Sequence, residues 1–201
     1  MARRKYTKVP RSFYARPTLE VARDILGKYI VYNGAQGRLS ARVVEVEAYI
    51  GEDDPACHAY GGPTRRSQPL FGPPGYSYIY LIYGMYHCFN FVTEPEGQAA
   101  AVLLRAAEPD EGLSLMTELS PGRKDVDLLN GPGKFCRSFG LDLAQNCIDL
   151  TSDILYLENR AVPIGEILVS TRIGISKGTN RPWRFYDKDS RCVSVKRNHL
   201  G

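Results

Sequence analysis

The segment Val44-Glu45-Val46-Glu47-Ala48-Tyr49 carries two carboxylates, and the later run Tyr76-Ser77-Tyr78-Ile79-Tyr80-Leu81-Ile82-Tyr83-Gly84-Met85-Tyr86 carries a dense set of rings beside a glycine. Strand periodicity puts Glu45, Glu47 and Tyr49 on one face and the apolar Val44, Val46 and Ala48 on the other. A tyrosine two positions from Glu47 lies about 7 Å away on the same face. The two side chains can then line one pocket, where a carboxylate can serve as general base. An isolated strand glutamate is ordinarily just a solvated group; the neighbouring rings are what give this one a chemical reading. Flat surfaces beside a carboxylate point to chemistry on a nucleobase.

Within the tyrosine-rich run, Tyr76, Tyr78 and Tyr80 alternate onto one face, and a ladder of half-buried strand tyrosines accounts for Tyr76 and Tyr78. Tyr83 differs. It abuts Gly84 at the predicted tip of a hairpin, where few neighbours can bury it, and exposed apolar groups of that size mark binding surfaces. With Met85 beside it, Tyr83 has the makings of a wedge that enters a base stack.

Other candidates are individually weaker. His58 sits in Cys57-His58-Ala59-Tyr60, and Thr64-Arg65-Arg66 in the same loop offers charge-assisted hydrogen bonds to phosphates or is simply solvated. Asn90, on the return strand, must be exposed or hydrogen-bonded. Arg105 closes the apolar run from Ala99 to Leu104 and calls for a partner or a strand end. Asn130-Gly131-Pro132-Gly133-Lys134 leads into a helix whose N-terminus suits an anion.

These residues must be positioned by 201 residues with 43% hydrophobic content and a formal charge of +4. That is enough chain for one compact domain, and the mild basicity fits a single basic face without proving a nucleic-acid partner. The basic start Met1-Ala2-Arg3-Arg4-Lys5 is followed by no apolar stretch of signal-peptide or membrane-span length, so a soluble, non-membrane protein is expected. Five cysteines without a Cys-x-x-Cys pair argue against a disulfide framework or zinc ribbon, and three histidines without His-Glu-x-x-His or His-x-Glu argue against a zincin or zinc deaminase. No metal or cofactor is expected.

Helical spacing of Leu19, Ala22, Ile25 and Leu26 predicts a helix over Pro17 to Leu26. Strands are predicted at Lys28 to Tyr32 and Arg42 to Tyr49, with a turn starting at Asn33-Gly34. Gly51 to Gly75 reads as a long surface excursion, a kind of loop that is usually functional. A hairpin follows, Tyr76 to Ile82 and Met85 to Val92, then a buried strand Ala100 to Arg105. Helices are predicted over Asp110 to Leu119 and from Gly133 to Gly140, and further strands at Ile154 to Glu158 and Glu166 to Ile173. The sum is an α+β single domain: a curved antiparallel β-sheet with peripheral helices and a protruding β-hairpin. Residues 1–16 are expected to form a basic N-terminal segment that can be flexible, and 17–201 the functional domain.

In order along the chain, these pieces resemble the alkyladenine (3-methyladenine) DNA glycosylase family. The resemblance rests on Val44 to Tyr49, Asp54-Pro55-Ala56-Cys57-His58, Phe71-Gly72-Pro73-Pro74-Gly75, Tyr80-Leu81-Ile82-Tyr83-Gly84-Met85 and Cys88-Phe89-Asn90. It continues through Val102 to Pro109, Asn130 to Lys134, Arg172-Ile173-Gly174-Ile175 and Arg181 to Tyr186. It implies a base-excision repair enzyme that hydrolyses the N-glycosidic bond of alkylated or deaminated purines (3-methyladenine, 7-methylguanine, hypoxanthine, ethenoadenine) after base flipping. By the same resemblance Glu47 would activate water. Tyr49 and His58 would face the extruded base on one side and Tyr80 on the other, with Asn90 discriminating against guanine. Tyr83, supported by Met85 and Tyr86, would fill the gap in the duplex, and Thr64, Arg66, Arg105 and Lys134 would contact phosphates or support the pocket. Val46 in place of threonine points to the core face and bears little on the site, whereas Thr64-Arg65-Arg66-Ser67 in place of Thr-Pro-Arg-Asn and Leu70 in place of methionine bear on phosphate contacts and substrate preference.

The implied partner is damaged double-stranded DNA, with abasic-site repair enzymes acting downstream. A monomer is expected, in the cytoplasm, at the nucleoid of a bacterium or in the nucleus of a eukaryote. Two other classes fit parts of the pattern: a module that senses altered bases without catalysis, which the retained Glu47 opposes, and an enzyme of free nucleosides, which leaves Tyr83, Thr64 and Arg66 without a purpose.

Overall fold

The computed structural model describes residues 6–195; the basic run Met1–Lys5 and residues 196–201 lie outside that span. The chain runs through strand β1 (Thr7–Lys8), one helical turn α1 (Arg11–Tyr14), helix α2 (Thr18–Ile25), and strands β2 (Tyr29–Gly34) and β3 (Gly37–Ile50). After a long loop come β4 (Ser77–Ile82), β5 (Tyr86–Val92) and β6 (Ala100–Glu111), then helices α3 (Leu113–Leu119), α4 (Asp125–Leu128) and α5 (Pro132–Ser138). The last strands are β7 (Leu155–Asn159), β8 (Ile167–Ser170) and β9 (Arg184–Asp187). All pair antiparallel in one sheet of order β1-β7-β2-β3-β6-β5-β4, with β9 on β3 and β8 on β9. This is the expected single-domain α+β architecture, with helices on the sheet and a hairpin at β4–β5.

β3 is the trunk of this arrangement. Its first half pairs with β2 from Gly37 to Arg42, and farther along the same edge is taken over by β9 at Glu45–Glu47. The opposite edge pairs with β6 along almost its whole length. Three register slips interrupt that ladder, one between Ser40 and Ala41 and two close together at its middle, where Val43 faces Ala107, Glu45 faces Ala106 and Val46 faces Leu104. Val44 on β3 and Arg105 on β6 are thereby left without a cross-strand partner. Such bulges kink a strand and re-aim side chains.

Alternation along the central strands divides core from cavity. Val46, Ala48, Ile79, Phe89, Phe91, Val102 and Leu104 belong to the main core, which α2 completes with Val21, Ala22 and Ile25 and α5 with Phe135 and Cys136. Glu47, Tyr49, Tyr78, Tyr80, Cys88, Asn90, Ala101, Leu103 and Arg105 alternate with them and take the other face. Val44 is the exception to the predicted apolar row. The slip turns it out of the main core to pack with Ala106 and Cys192, and Val43 takes the core position instead. Val9 and Tyr14, both ahead of Pro17, also belong to the main core.

Several boundaries differ from the sequence pattern. The helix predicted from Asp110 starts at Leu113, because Asp110 and Glu111 are still strand: Ser40 Oγ donates to Asp110 and Arg38 Nε to Glu111. Gly112 makes the switch at φ 82°, where a Cβ would lie 2.7 Å from the Arg38 carbonyl oxygen. The strand predicted to reach Ile173 stops at Ser170, and β9 escapes the pattern altogether because its ends are the charged but buried Arg184 and Asp187. The loop 51–75 is no plain surface excursion. Asp54, Cys57, Ala59, Ser67 and Leu70 are buried, folding it back over the cavity face.

Candidate active site

A cavity of about 590 Å³ opens on that face, walled by β3–β6, the loop 51–75, the start of α5 and the segment 173–177. Its rings come from Tyr49, His58, Tyr78 and Tyr80, and its floor from Ala101, Leu103, Asn90 and Arg105.

Glu47 lies directly behind this lining and is fully buried. Its carboxylate accepts hydrogen bonds from Tyr49 OH at 2.8 Å, Arg105 Nη1 at 3.2 Å and the Ile173 N–H at 2.7 Å. All of these donors belong to residues that line the cavity. A carboxylate offers about four acceptor positions, so these bonds leave about one of them open. Burial first, and then the Glu47 charge, push the Tyr49 phenol well above its usual range, so it stays a donor to Glu47.

Glu45, the second carboxylate, is answered from parts of the chain remote in sequence. Its Oε1 accepts Arg105 Nε at 3.1 Å, Arg184 Nε at 2.7 Å and Ser194 Oγ at 2.9 Å, and its Oε2 accepts the Ser194 N–H at 2.6 Å. Arg184 also donates to Ser170 Oγ and the Val195 carbonyl, and the carboxylate and guanidinium of this pair are both fully buried. The bulge that leaves Arg105 unpaired on β6 lets it bridge the two glutamates. Burial would lower the Arg105 pKa, but the charges of Glu47 and Glu45 outweigh it and raise it. Arg105 is thus built into the floor between carboxylates, so of its two predicted roles the geometry favours pocket support over phosphate contact.

The aromatic wall includes a ring assigned above to structure alone. Tyr78 lines the cavity and shares a 2.9 Å hydrogen bond with His58 Nδ1, whereas Tyr76 packs under the Arg11 guanidinium away from it. The rings of His58 and Tyr80 meet edge to face with centroids 4.4 Å apart. Two rings that sandwich a third stand roughly 7 Å apart, so His58 and Tyr80 do not flank an open slot here. One of them must swing before a base lies between them. Burial, and after it the Arg66 charge, lower the His58 pKa to about 4, so its imidazole is neutral at pH 7. Burial raises the Tyr80 phenol, and Tyr78 is pushed up to about 12 by the same cause. Asn90 spends its amide hydrogens on the Tyr78 and Cys88 carbonyls, leaving Oδ1 as its acceptor.

At the hairpin tip, Met85 N–H donates to the Ile82 carbonyl across Tyr83 (φ 53°) and Gly84 (φ 68°). Both central residues are left-handed, as the tight hairpin turn requires. For tyrosine that conformation costs about 1–2 kcal/mol. Tyr83 is 80% exposed and Met85 66%, with Tyr86 and Leu81 also exposed beside them.

Of the predicted phosphate ligands, Arg66 is exposed over the Tyr80 ring with its centre 5.0 Å away, and Lys134 lines the cavity with Nζ on Asn130 Oδ1 at 2.6 Å. Thr64 instead closes a turn with Ser67 through reciprocal hydrogen bonds. Arg123 and Lys177 add charge to the cavity rim, and no pattern in the sequence marked them. Among the described residues, no group of three or more His, Cys, Asp or Glu could hold a metal ion, and no helix is long and apolar enough to cross a membrane.

Comparison with known proteins bears on the same residues. A family model described as methylpurine-DNA glycosylase matches residues 12–191. A protein of Methanocella arvoryzae named "Putative 3-methyladenine DNA glycosylase" is 51% identical over 193 residues, covering 94% of this chain and 96% of its own. Proteins of the same name from Carboxydothermus hydrogenoformans (46% identical; 94% and 99% covered) and Alkaliphilus oremlandii (45%; 94% and 100%) are similar throughout. A full-length match of this kind, on a chain whose carboxylate floor, aromatic wall and exposed hairpin tip are in place, settles its family: it belongs to the methylpurine-DNA glycosylases.

Proposed function

We propose that this protein excises alkylated or deaminated purines from duplex DNA by hydrolysing the N-glycosidic bond, with Glu47 activating the attacking water. The observation that carries this reading is the Glu47 carboxylate: fully buried, held by three donors and set immediately behind a ring-lined cavity. Scission of such a bond passes through an oxocarbenium-like sugar. The site therefore needs a base for water and negative charge near C1′, and an ionised carboxylate supplies both.

The damaged base must first leave the stack, at a cost of a few kcal/mol that is least for damaged or mismatched pairs. Tyr83, exposed at the tip with Met85 and Tyr86, fills the vacated space. The base then rests against Tyr49, His58 and Tyr80, and Asn90 rejects the exocyclic amino group of guanine. Cationic alkylpurines leave with little help, whereas hypoxanthine needs protonation. Arg66 and Lys134 contact the backbone. The product is an abasic site without strand scission, which passes to abasic-site repair enzymes, and the protein works as a monomer.

The test is incubation with duplexes bearing 3-methyladenine, 7-methylguanine, hypoxanthine or ethenoadenine, followed by detection of abasic sites. Release from one or more is the expected result; no release from any would refute the activity. Borohydride should trap no covalent protein–DNA adduct, and a trapped adduct would refute a reaction carried by water alone.

A further inference from the structure

We infer that Arg172 and Asp54 are positioning residues for base release, their buried pair fixing the neighbouring peptide so that the Ile173 N–H holds Glu47. The inference rests on the reading of Glu47 as the base. Its starting point is the end of β8 at Ser170: the next residues leave the ladder, yet Ile173 N–H reaches Glu47 Oε1 at 2.7 Å. Something other than sheet pairing must hold them.

Arg172 does so. Its Nη1 donates to Asp54 Oδ2 at 2.5 Å and its Nη2 to Asp54 Oδ1 at 2.7 Å, a bidentate pair whose side chains are both fully buried. The same Nη1 reaches the carbonyl of Ala48, the residue between Glu47 and Tyr49, at 3.0 Å, and Nη2 reaches the Gly178 carbonyl at 3.3 Å. The cavity-lining segment 173–177 is thus clamped at both ends. A Cβ on Gly178 would meet Arg172 Nη2 and Asp54 Oδ1, each at 3.2 Å, so a side chain there would press on the clamp.

The guanidinium also lies over the Tyr49 ring, with its centre 4.6 Å away, and over Trp183 at 5.1 Å. Two of the three donors on Glu47, the Tyr49 hydroxyl and the Ile173 N–H, are therefore set by one side chain. A buried ion pair is a poor source of stability compared with well-packed apolar groups, and Arg172 Nε has no hydrogen-bond partner among the described residues. What the planar fork supplies is fixed geometry in two directions at once, which an ammonium on a flexible stem does not.

Displacing a catalytic group by about 1 Å costs on the order of 100-fold in rate. Arg172→Lys should lower single-turnover base release about 100-fold at saturating enzyme while leaving affinity for the damaged duplex unchanged. Asp54→Asn should do the same and carries the comparison if the lysine variant does not fold. In a Glu47→Gln background the Arg172→Lys change should cause no further loss, because no base remains to be aimed. Wild-type release by the folded Arg172→Lys protein, or an equal loss in both backgrounds, would overturn the inference. Full release by Glu47→Gln alone would instead overturn the assignment of the base, and this inference with it.

Discussion

The floor of the cavity and the tip of the β4–β5 hairpin break the usual distribution of polar and apolar groups in opposite ways. At the floor, Glu45, Glu47, Arg105 and Arg184 are buried charges. Each carboxylate is met by donors from several elements. At the tip, Tyr83 and Met85 are apolar groups left in solvent on a left-handed turn. The floor holds its geometry because every charge has fixed partners. The tip gains access because it has almost none. The base extrusion and water attack proposed above would draw on both, one set on β3 and β6 and the other at the end of β4, on the same cavity.

The sharpest way to break the comparison is to remove charge from the floor. Glu47→Gln should lower base release about 10²–10⁴-fold, the usual contribution of a general base, with duplex binding retained in a gel-shift or anisotropy assay; undiminished release would refute the assignment. Next, Arg184→Ala leaves Glu45 short of its fully buried partner and should cost about 3–5 kcal/mol in denaturant unfolding. An unfolding midpoint equal to that of the wild type would show that the floor is not held by its charges.

The tip should respond in the reverse sense. Tyr83→Ala should weaken binding and capture of damaged duplex by about 1–3 kcal/mol, the worth of one base–aromatic stack, without lowering thermal stability. Tyr83→Gly should lose the same binding and gain roughly 1 kcal/mol of stability by relieving the left-handed strain. A destabilised glycine variant would mean that the tip is held by packing after all.

The smallest effect of a substitution is expected at His58, between the two regions. Its pKa is about 4 in the folded protein, against about 6.5 for an unperturbed histidine. As pH falls through that interval the unfolded chain takes up a proton that the folded one refuses. Stability should therefore decline from pH 6.5 towards 4, and the His58 contribution should be complete above pH 6.5. NMR titration should give the low midpoint, and Arg66→Ala should raise it slightly, since burial outranks the Arg66 charge as its cause. A midpoint at 6.5 or above in the wild-type protein would refute the neutral, desolvated histidine.

The tip was far easier to read in the sequence than the floor. Tyr83-Gly84 between two alternating segments announces a hairpin and an exposed ring from neighbours alone. The floor draws its partners from Ile173, Arg184 and Ser194, distant in sequence from Glu45 and Glu47, and nothing local in an Arg-Phe-Tyr-Asp segment marks it as a wholly buried strand. That Tyr78 lines the cavity was missed for a related reason. Alternation gave its face correctly, but not that this face is the cavity wall where His58 waits. The face of Val44 was misread because periodicity assumes an unbroken ladder, and the ladder slips there.

Those slips obey an arithmetic of their own. Val44 is an insertion in one strand and Arg105 an insertion in the other, and between Val43–Ala107 and Val46–Leu104 they cancel, so the phase before and after is the same. They behave as compensating frameshifts. On β3 the core row falls at Leu39, Ala41 and Val43 before the insertion and at Val46 and Ala48 after it, so Val44 is what moves that row from odd to even positions and leaves Glu47 on the cavity face. On β6 the inserted Arg105 does the same between Ala107 and Leu104, so the residue that shifts the sheet is also the one that brings a cation to both glutamates.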